Sequence, residues 1–296
     1  MRLFPAVGVT AAAAAAGLLI AATPAVAAPV RADAAAAPAS TPICTSPAHP
    51  KLAARISRKV LAALAGRPDS TVGLAVSDAR EDLTCAYHAG WHFISASAIK
   101  ATIISALLLK KGGPSKLTKA QHALAWKMIT QSDNDAADDL WAEVGMTAMQ
   151  RFLTKAGMTH TKLNEAWGIS ELTAHDEVTL LKLLCTAGKV QTTKSRDYVL
   201  WLMSKVIPSE RWGVPAGAPS DVTVHVKNGW LPYPDTNLSA SDWHVNSIGA
   251  FTGKDISYQV AVLTAPHGSQ TEAYGIATIE AAARIINHQL AEVQTG

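Results

Sequence analysis

The chain has 296 residues, 49% hydrophobic and 17% charged, enough for one sizeable core after the apolar N-terminal excess is set aside. Its formal net charge of +3 falls to +2 without residues 1–27, which hold Arg2 and no acid; this near balance argues against a nucleic-acid partner, which would call for a concentrated basic face. The 3 cysteines fit an exported protein, and no histidine or cysteine spacing has the form of a metal site, so neither a metal nor another cofactor is expected.

Residues 1–27 read as a secretory signal: Arg2, an Ala/Leu-rich run through Ala22, and Ala25-Val26-Ala27 as a small-residue cleavage site. The run is too short and alanine-rich for a membrane span, and no cysteine follows it to carry a lipid. A secreted, extracellular protein with no stable membrane anchor is therefore expected, as a monomer. Residues 28–42 form an Ala/Pro-rich flexible leader, and 43–296 a single domain with no internal repeat. Lys51 to Ala65 reads as an amphipathic helix with Leu52, Ile56, Val60, Leu61 and Leu64 at helical spacing, ended by Gly66-Arg67-Pro68-Asp69. Thr71 to Ser77 and Leu83 to His88 read as two strands joined by the turn-like Asp78–Asp82. Cys44 in the first ordered stretch and Cys85 in the second strand are expected to form a disulfide, leaving Cys185 as a buried free thiol; three titratable thiols is the alternative.

Ser97 and Lys100 follow, one helical turn apart at the head of a helix whose Ile99, Ile103, Ile104, Leu107 and Leu108 are core candidates. This spacing sets an amine beside a hydroxyl, and burial favours the amine's neutral, basic form. Taken alone, the pair also fits a helix N-cap and a solvated lysine. Helical segments then run from Lys116 to about Cys185, broken by Ser132-Asp133-Asn134, by Gly145 and Gly157, and by a loop around Trp167-Gly168. Thr193 to Val206 reads as a further helix, and Pro208 with Gly213 to Pro219 as a loop. Val222, Val224 and Val226 alternate with polar residues as a half-buried strand that Lys227-Asn228-Gly229 ends. Val245 to Phe251 and Ser257 to Thr264 supply two more strands, and Thr271 to Glu292 a closing helix. The fold class is α+β: an antiparallel sheet built from both chain ends, flanked by the N- and C-terminal helices, with an all-helical block inserted.

Ser97-x-x-Lys100, Ser132-Asp133-Asn134 and Lys227-Asn228-Gly229, in this order, resemble the penicillin-recognising serine hydrolases, especially the class A β-lactamases and their penicillin-binding relatives. The likeness runs from roughly residue 45 to the end and implies the same α+β architecture. It implies Ser97 as nucleophile, Lys100 as its proton acceptor and Ser132 as relay to the leaving nitrogen. Asn134 would hold the substrate amide, or else cap the helix Asp135–Val144. Lys227 would meet a substrate carboxylate, Asn228 and Gly229 would line the substrate strand, and the backbone N–H of Trp230 would join that of Ser97 in an oxyanion hole. Lys155-Ala156-Gly157 and Lys111-Gly112-Gly113 share the K-x-G form but follow helical runs, where helix closure explains them. The chain departs from the class A pattern at Asn228, where Thr or Ser is usual, at the bulky Trp230, and in a shorter interval from Ser97 to Ser132. Leu163-Asn164-Glu165-Ala166 resembles the class A loop, but the position of its water-activating glutamate falls on His160; Glu165 and Glu171 lie nearby. The resemblance thus implies a serine hydrolase acylated at Ser97 by β-lactams or related amides, with slow deacylation. Alternatives are a D-alanyl-D-alanine carboxypeptidase or transpeptidase of cell-wall peptides, and a catalytically silent wall-peptide or antibiotic-binding protein.

Overall fold

A computed structural model describes residues 41–232, 242–265 and 270–294. The expected signal segment, and the expected leader up to residue 40, lie outside the described residues. The described residues all fall in one compact unit.

Strand β1 (Cys44–Thr45) leads into α1 (Pro50–Ala65), whose proline occupies a helix-starting position that needs no amide hydrogen. Strands β2 (Val72–Asp78) and β3 (Leu83–Tyr87) form the expected hairpin, where Asp78 Oδ1 accepts the N–H groups of Arg80 and Glu81. Next come β4 (Phe93–Ile94), a 3₁₀ turn over Ala96–Ile99, and α2 (Lys100–Lys111). The helical block continues with α3 (Lys119–Thr130), α4 (Asn134–Val144) and α5 (Met146–Ala156). Thr118 and Gln121 close a reciprocal capping box at the start of α3. After a loop come β5 (Glu171–Leu172), α6 (Ala174–Cys185) and α7 (Thr193–Ser204). Strands β6 (Thr223–Pro232), β7 (Trp243–Gly253) and β8 (Ile256–Thr264) and helix α8 (Glu272–Gln294) complete the chain.

The main sheet is six-stranded, in the order β1-β3-β2-β8-β7-β6, with every neighbour antiparallel. N-terminal β2 pairs with C-terminal β8, so the sheet is built from both chain ends as expected. Alternation along the strands separates two cores. Leu74, Val76, Val226, Val260 and Val262 bury against Leu52, Ile56 and Val60 of α1 and Ile279 and Ile286 of α8. Ala75, Ile248, Ala250, Ala261 and Leu263 face the helical block, joining Ile103, Ile104 and Leu107 of α2 and Leu180 of α6. Among the described residues no helix is long and apolar enough to cross a membrane.

Cys44 and Cys85 sit opposite each other in the β1–β3 register and are joined by a disulfide, while Cys185 is free and half-buried at the end of α6 rather than fully buried. Three details differ from the expectations. The Ser97 segment begins as a 3₁₀ turn, and the α-helix starts only at Lys100. Lys227-Asn228-Gly229 lies inside β6 rather than at its end, because pairing with β7 continues to Pro232 opposite Trp243. The cap of α4 is Asp133, whose Oδ1 accepts the Ala136 N–H at 2.7 Å; Asn134 is already helical.

Candidate active site

In a 3₁₀ turn, side chains three residues apart eclipse, so the turn carrying Ser97 sets it over Lys100. Asn246 on β7 pins the approach to this turn, its Nδ2 donating to the carbonyls of Ile94 at 2.8 Å and Ser95 at 3.1 Å. The Ser95 N–H donates to Ser170 O at 2.7 Å, and the Ser95 hydroxyl to Trp167 O at 3.0 Å. These bonds hold Ala96 at φ +43°, a left-handed conformation that costs a non-glycine residue about 1–2 kcal/mol. Ser132 is similarly left-handed at φ +55°. The two strained residues flank the lysine between them, as strain at functional sites tends to do.

Lys100 is fully buried. Its Nζ donates to Ser132 O at 2.7 Å and Asn134 Oδ1 at 2.8 Å, and lies 4.7 Å from the centre of the Trp167 indole. Burial lowers its pKa to about 8, while the negative charges of Asp133, Glu210 and Asp138 resist the fall. Lys227 projects from the sheet face opposite to Val226, toward the helical block; its Nζ donates to Ser132 Oγ at 2.8 Å and to Asn228 O at 2.6 Å. Its pKa is also lowered, first by burial and then by repulsion from Lys100, with Glu210 opposing. Lys100, Ser132, Asn134 and Lys227 thus meet from three separate stretches of chain, beside the turn that carries Ser97.

Gly229 meets a steric demand. A Cβ there would lie 2.6 Å from the Ser97 nitrogen and 2.5 Å from that of Ala98, so only a glycine lets β6 press against the serine turn. The two neighbours of Gly229 have other tasks. The Asn228 Nδ2 donates to the carbonyls of Glu210 and Trp212, both at 2.9 Å, and braces that segment. The Trp230 ring packs edge-on against Trp212 at the α1/α8-side core, away from the sheet face that carries Lys227.

The loop between α5 and α6 is zipped to this site by the β4–β5 pair, in which Phe93 opposes Leu172 and Ile94 opposes Glu171. The group it lays over Lys100 is Trp167, anchored by its indole N–H on Asp138 Oδ1 at 2.6 Å. Of the three candidates for a water-activating base, two are paired elsewhere and the third faces solvent. His160 faces Asp176 at 3.1 Å, Glu171 pairs with Lys162 at 2.8 Å, and Glu165 is exposed, its carbonyl accepting the Trp141 indole N–H.

Sequence reasoning missed Asn246, Trp167 and Glu210. Asn246 lies inside an apolar strand, where a buried amide signals a specific partner. Glu210 is half-buried with Oε2 unbonded among the described residues; burial raises its pKa, and its charge acts on both lysines.

The profile of the beta-lactamase enzyme family matches residues 109–290, a stretch that contains Ser132, Asn134 and Lys227–Trp230 and begins downstream of Ser97 and Lys100. No curated protein sequence matches the chain. Its fold is similar to a class A beta-lactamase from Bacteroides cellulosilyticus, at TM-score 0.67 and 19% identity over 84% of this chain and 99% of the other. A beta-lactamase from Streptosporangium roseum superposes at TM-score 0.65 and 17% identity, covering 81% and 99%. A point variant of PBP-A, in acyl-enzyme complex with penicillin G, does so at 0.66 and 18%, covering 80% and 96%.

Proposed function

Because the chain belongs to the beta-lactamase enzyme family, with the α+β fold of its class A members, we propose that it is a secreted serine hydrolase acylated at Ser97 by β-lactams or related amides, and that it releases the acyl group slowly. The observation that carries this reading is the buried Lys100, with a pKa of about 8, one 3₁₀ turn after Ser97 and bonded to both Ser132 and Asn134.

Ser97 Oγ attacks the amide carbonyl carbon, and its proton passes to the neutral Lys100 Nζ. The backbone N–H groups of Ser97 and Trp230 receive the developing oxyanion. The carbon–nitrogen bond then breaks, and the nitrogen takes a proton from Ser132 Oγ, which the Lys227 ammonium at 2.8 Å can resupply. Asn134 orients the substrate amide, and Lys227 draws a substrate carboxylate to the strand edge. Release of the acyl group needs an activated water. The indole of Trp167 lies over Lys100, and His160, Glu165 and Glu171 have other partners or face solvent, which supports slow deacylation. The Cys44–Cys85 disulfide supports an oxidising, extracellular destination.

The test is an intact-mass time course of the mature protein with excess benzylpenicillin, beside Ser97→Ala. A Ser97-dependent adduct that outlasts the reaction by hours is expected. An adduct cleared within seconds, with hydrolysed penicillin accumulating, would overturn slow deacylation. Absence of any adduct would move the reading to a silent binding protein. The same stall over Lys100 also fits a wall-peptide D-alanyl-D-alanine peptidase, which release of D-alanine from such a peptide identifies.

A further inference from the structure

On the far side of the same loop, two histidines and a buried carboxylate come together although they lie in no recognisable ligand motif. We infer that His160, His175 and Asp176 form a binding site for one late first-row divalent cation of the Zn²⁺, Co²⁺ or Ni²⁺ kind, clasping the base of the loop to the start of α6.

Asp176 is held ready for this. Its side chain is fully buried, and Oδ2 accepts three bonds: the His160 N–H at 2.8 Å, the Thr161 N–H at 2.7 Å and the Thr161 hydroxyl at 2.8 Å. The carboxylate cannot rotate without breaking them, so Oδ1 stays presented to the two imidazoles. His160 Nδ1 lies 3.1 Å from it and His175 Nδ1 3.4 Å. The three donor atoms all fall within 4.8 Å of one another. An ion bonded at about 2.0–2.2 Å sets neighbouring ligands about 3.0–3.5 Å apart, so both contacts to Oδ1 already have that spacing and small ring rotations close the third. The rings stand nearly perpendicular, at 81°, and their side chains are 50% and 59% exposed, which leaves the ion a path from solvent.

The outer contacts point the same way. His92 Nε2 lies 2.8 Å from the His160 carbonyl and steadies that ligand's backbone, and Thr173 Oγ1 accepts the Asp176 N–H at 3.1 Å. Two imidazoles and one carboxylate suit Zn²⁺, Co²⁺ or Ni²⁺ and disfavour Ca²⁺ or Mg²⁺, which prefer oxygen alone. Three protein ligands leave the remaining positions to water. The ion takes the place of the two Nδ1 hydrogens, which shift to Nε2, so neutral rings release no net proton. The bound ion would stiffen the loop that lays Trp167 over Lys100, yet the site stands independently of the hydrolase reading.

The test is titration of untagged, chelator-treated protein with ZnCl₂ by calorimetry, and with CoCl₂ by visible absorption. Saturation at one ion per chain is expected. His160→Ala and His175→Ala should each weaken binding by about tenfold or more. His288→Ala, a surface histidine of α8 paired with Glu292, should leave it unchanged. Circular dichroism in EDTA shows whether each variant is folded, and Asp176 is left intact because it carries loop backbone bonds. No saturable uptake up to millimolar ion, or uptake that both alanine variants retain in full, would overturn the site.

Discussion

The acylation rate should follow the proton on Lys100. Lowering its pKa from the ordinary 10.5 to about 8 corresponds to about 3 kcal/mol set against the ammonium by burial. At pH 7 the neutral amine is then about a tenth of the population, against roughly one in three thousand for a solvated lysine. The rate of Ser97 acylation by benzylpenicillin should therefore climb about tenfold per pH unit from pH 5.5 to 7.5 and flatten near pH 8. Lys227 likewise loses its proton below the usual lysine range, because burial and the neighbouring Lys100 disfavour its charge, and that loss weakens the hold on a carboxylate-bearing substrate. Quenched-flow mass spectrometry of the covalent adduct across this range measures the first step apart from turnover. Lys100→Arg supplies the control: a guanidinium stays protonated, so the rising limb should vanish together with most of the rate. A rate independent of pH between 5.5 and 8, or a limb that survives in Lys100→Arg, would refute Lys100 as the proton acceptor.

Trp167→Ala should let water reach Lys100, move its pKa toward the ordinary value and shift the rising limb to higher pH, while the melting temperature drops little; an unmoved limb would deny the indole its role in desolvation. Gly229→Ala forces a methyl to within 2.6 Å of the Ser97 nitrogen, and overpacking of this kind costs about 1–3 kcal/mol. Its acylation rate, read by the same adduct assay, should fall a hundredfold or more in a protein that still folds. Asn246→Ala removes the Nδ2 donor from the Ile94 carbonyl and one of two donors from the Ser95 carbonyl, which keeps the Ala98 N–H, and should cost about 1–3 kcal/mol in denaturant unfolding, with acylation slowed as well. Cys44→Ser/Cys85→Ser reopens a loop of sequence separation 41, for which chain entropy gives about 4 kcal/mol, a clear drop in thermal midpoint.

Much of the candidate site was legible because the proposed acyl transfer calls for side chains at fixed spacing, and Ser97, Lys100, Ser132 and Lys227 each stand in a short recognisable motif. The burial of Ile99, Ile103, Ile104, Leu107 and Leu108 followed from the same helical period. What misled was local chemistry with two solutions. Asp133 and Asn134 are both good caps, and the choice between them was decided by Lys100, whose amine holds Asn134 Oδ1. Strand β6 looked finished at Gly229, because the alternation of Val222, Val224 and Val226 stops just before Lys227-Asn228-Gly229; the glycine is instead where the strand meets the serine turn. Trp167 and the His160–His175–Asp176 group were out of reach for another reason. Their neighbours are set by how the loop folds back through the β4–β5 pair, and no periodicity in the sequence encodes that return.

The hydrogen bonds from Asn246 to the turn before Ser97 span sequence separations of 151 and 152, and β2, paired locally with β3, finds its second partner only in the distant β8. A chain emerging during synthesis exposes Ser97 and Lys100 long before the strands that press the serine turn into shape exist. Such long-range closure is slow relative to helix formation. The nascent chain therefore carries the proposed nucleophile as an ordinary serine. Covalent labelling at Ser97 becomes a reporter of completed folding, and a chain cut before β7 should be silent to it, however much of its helical block has formed.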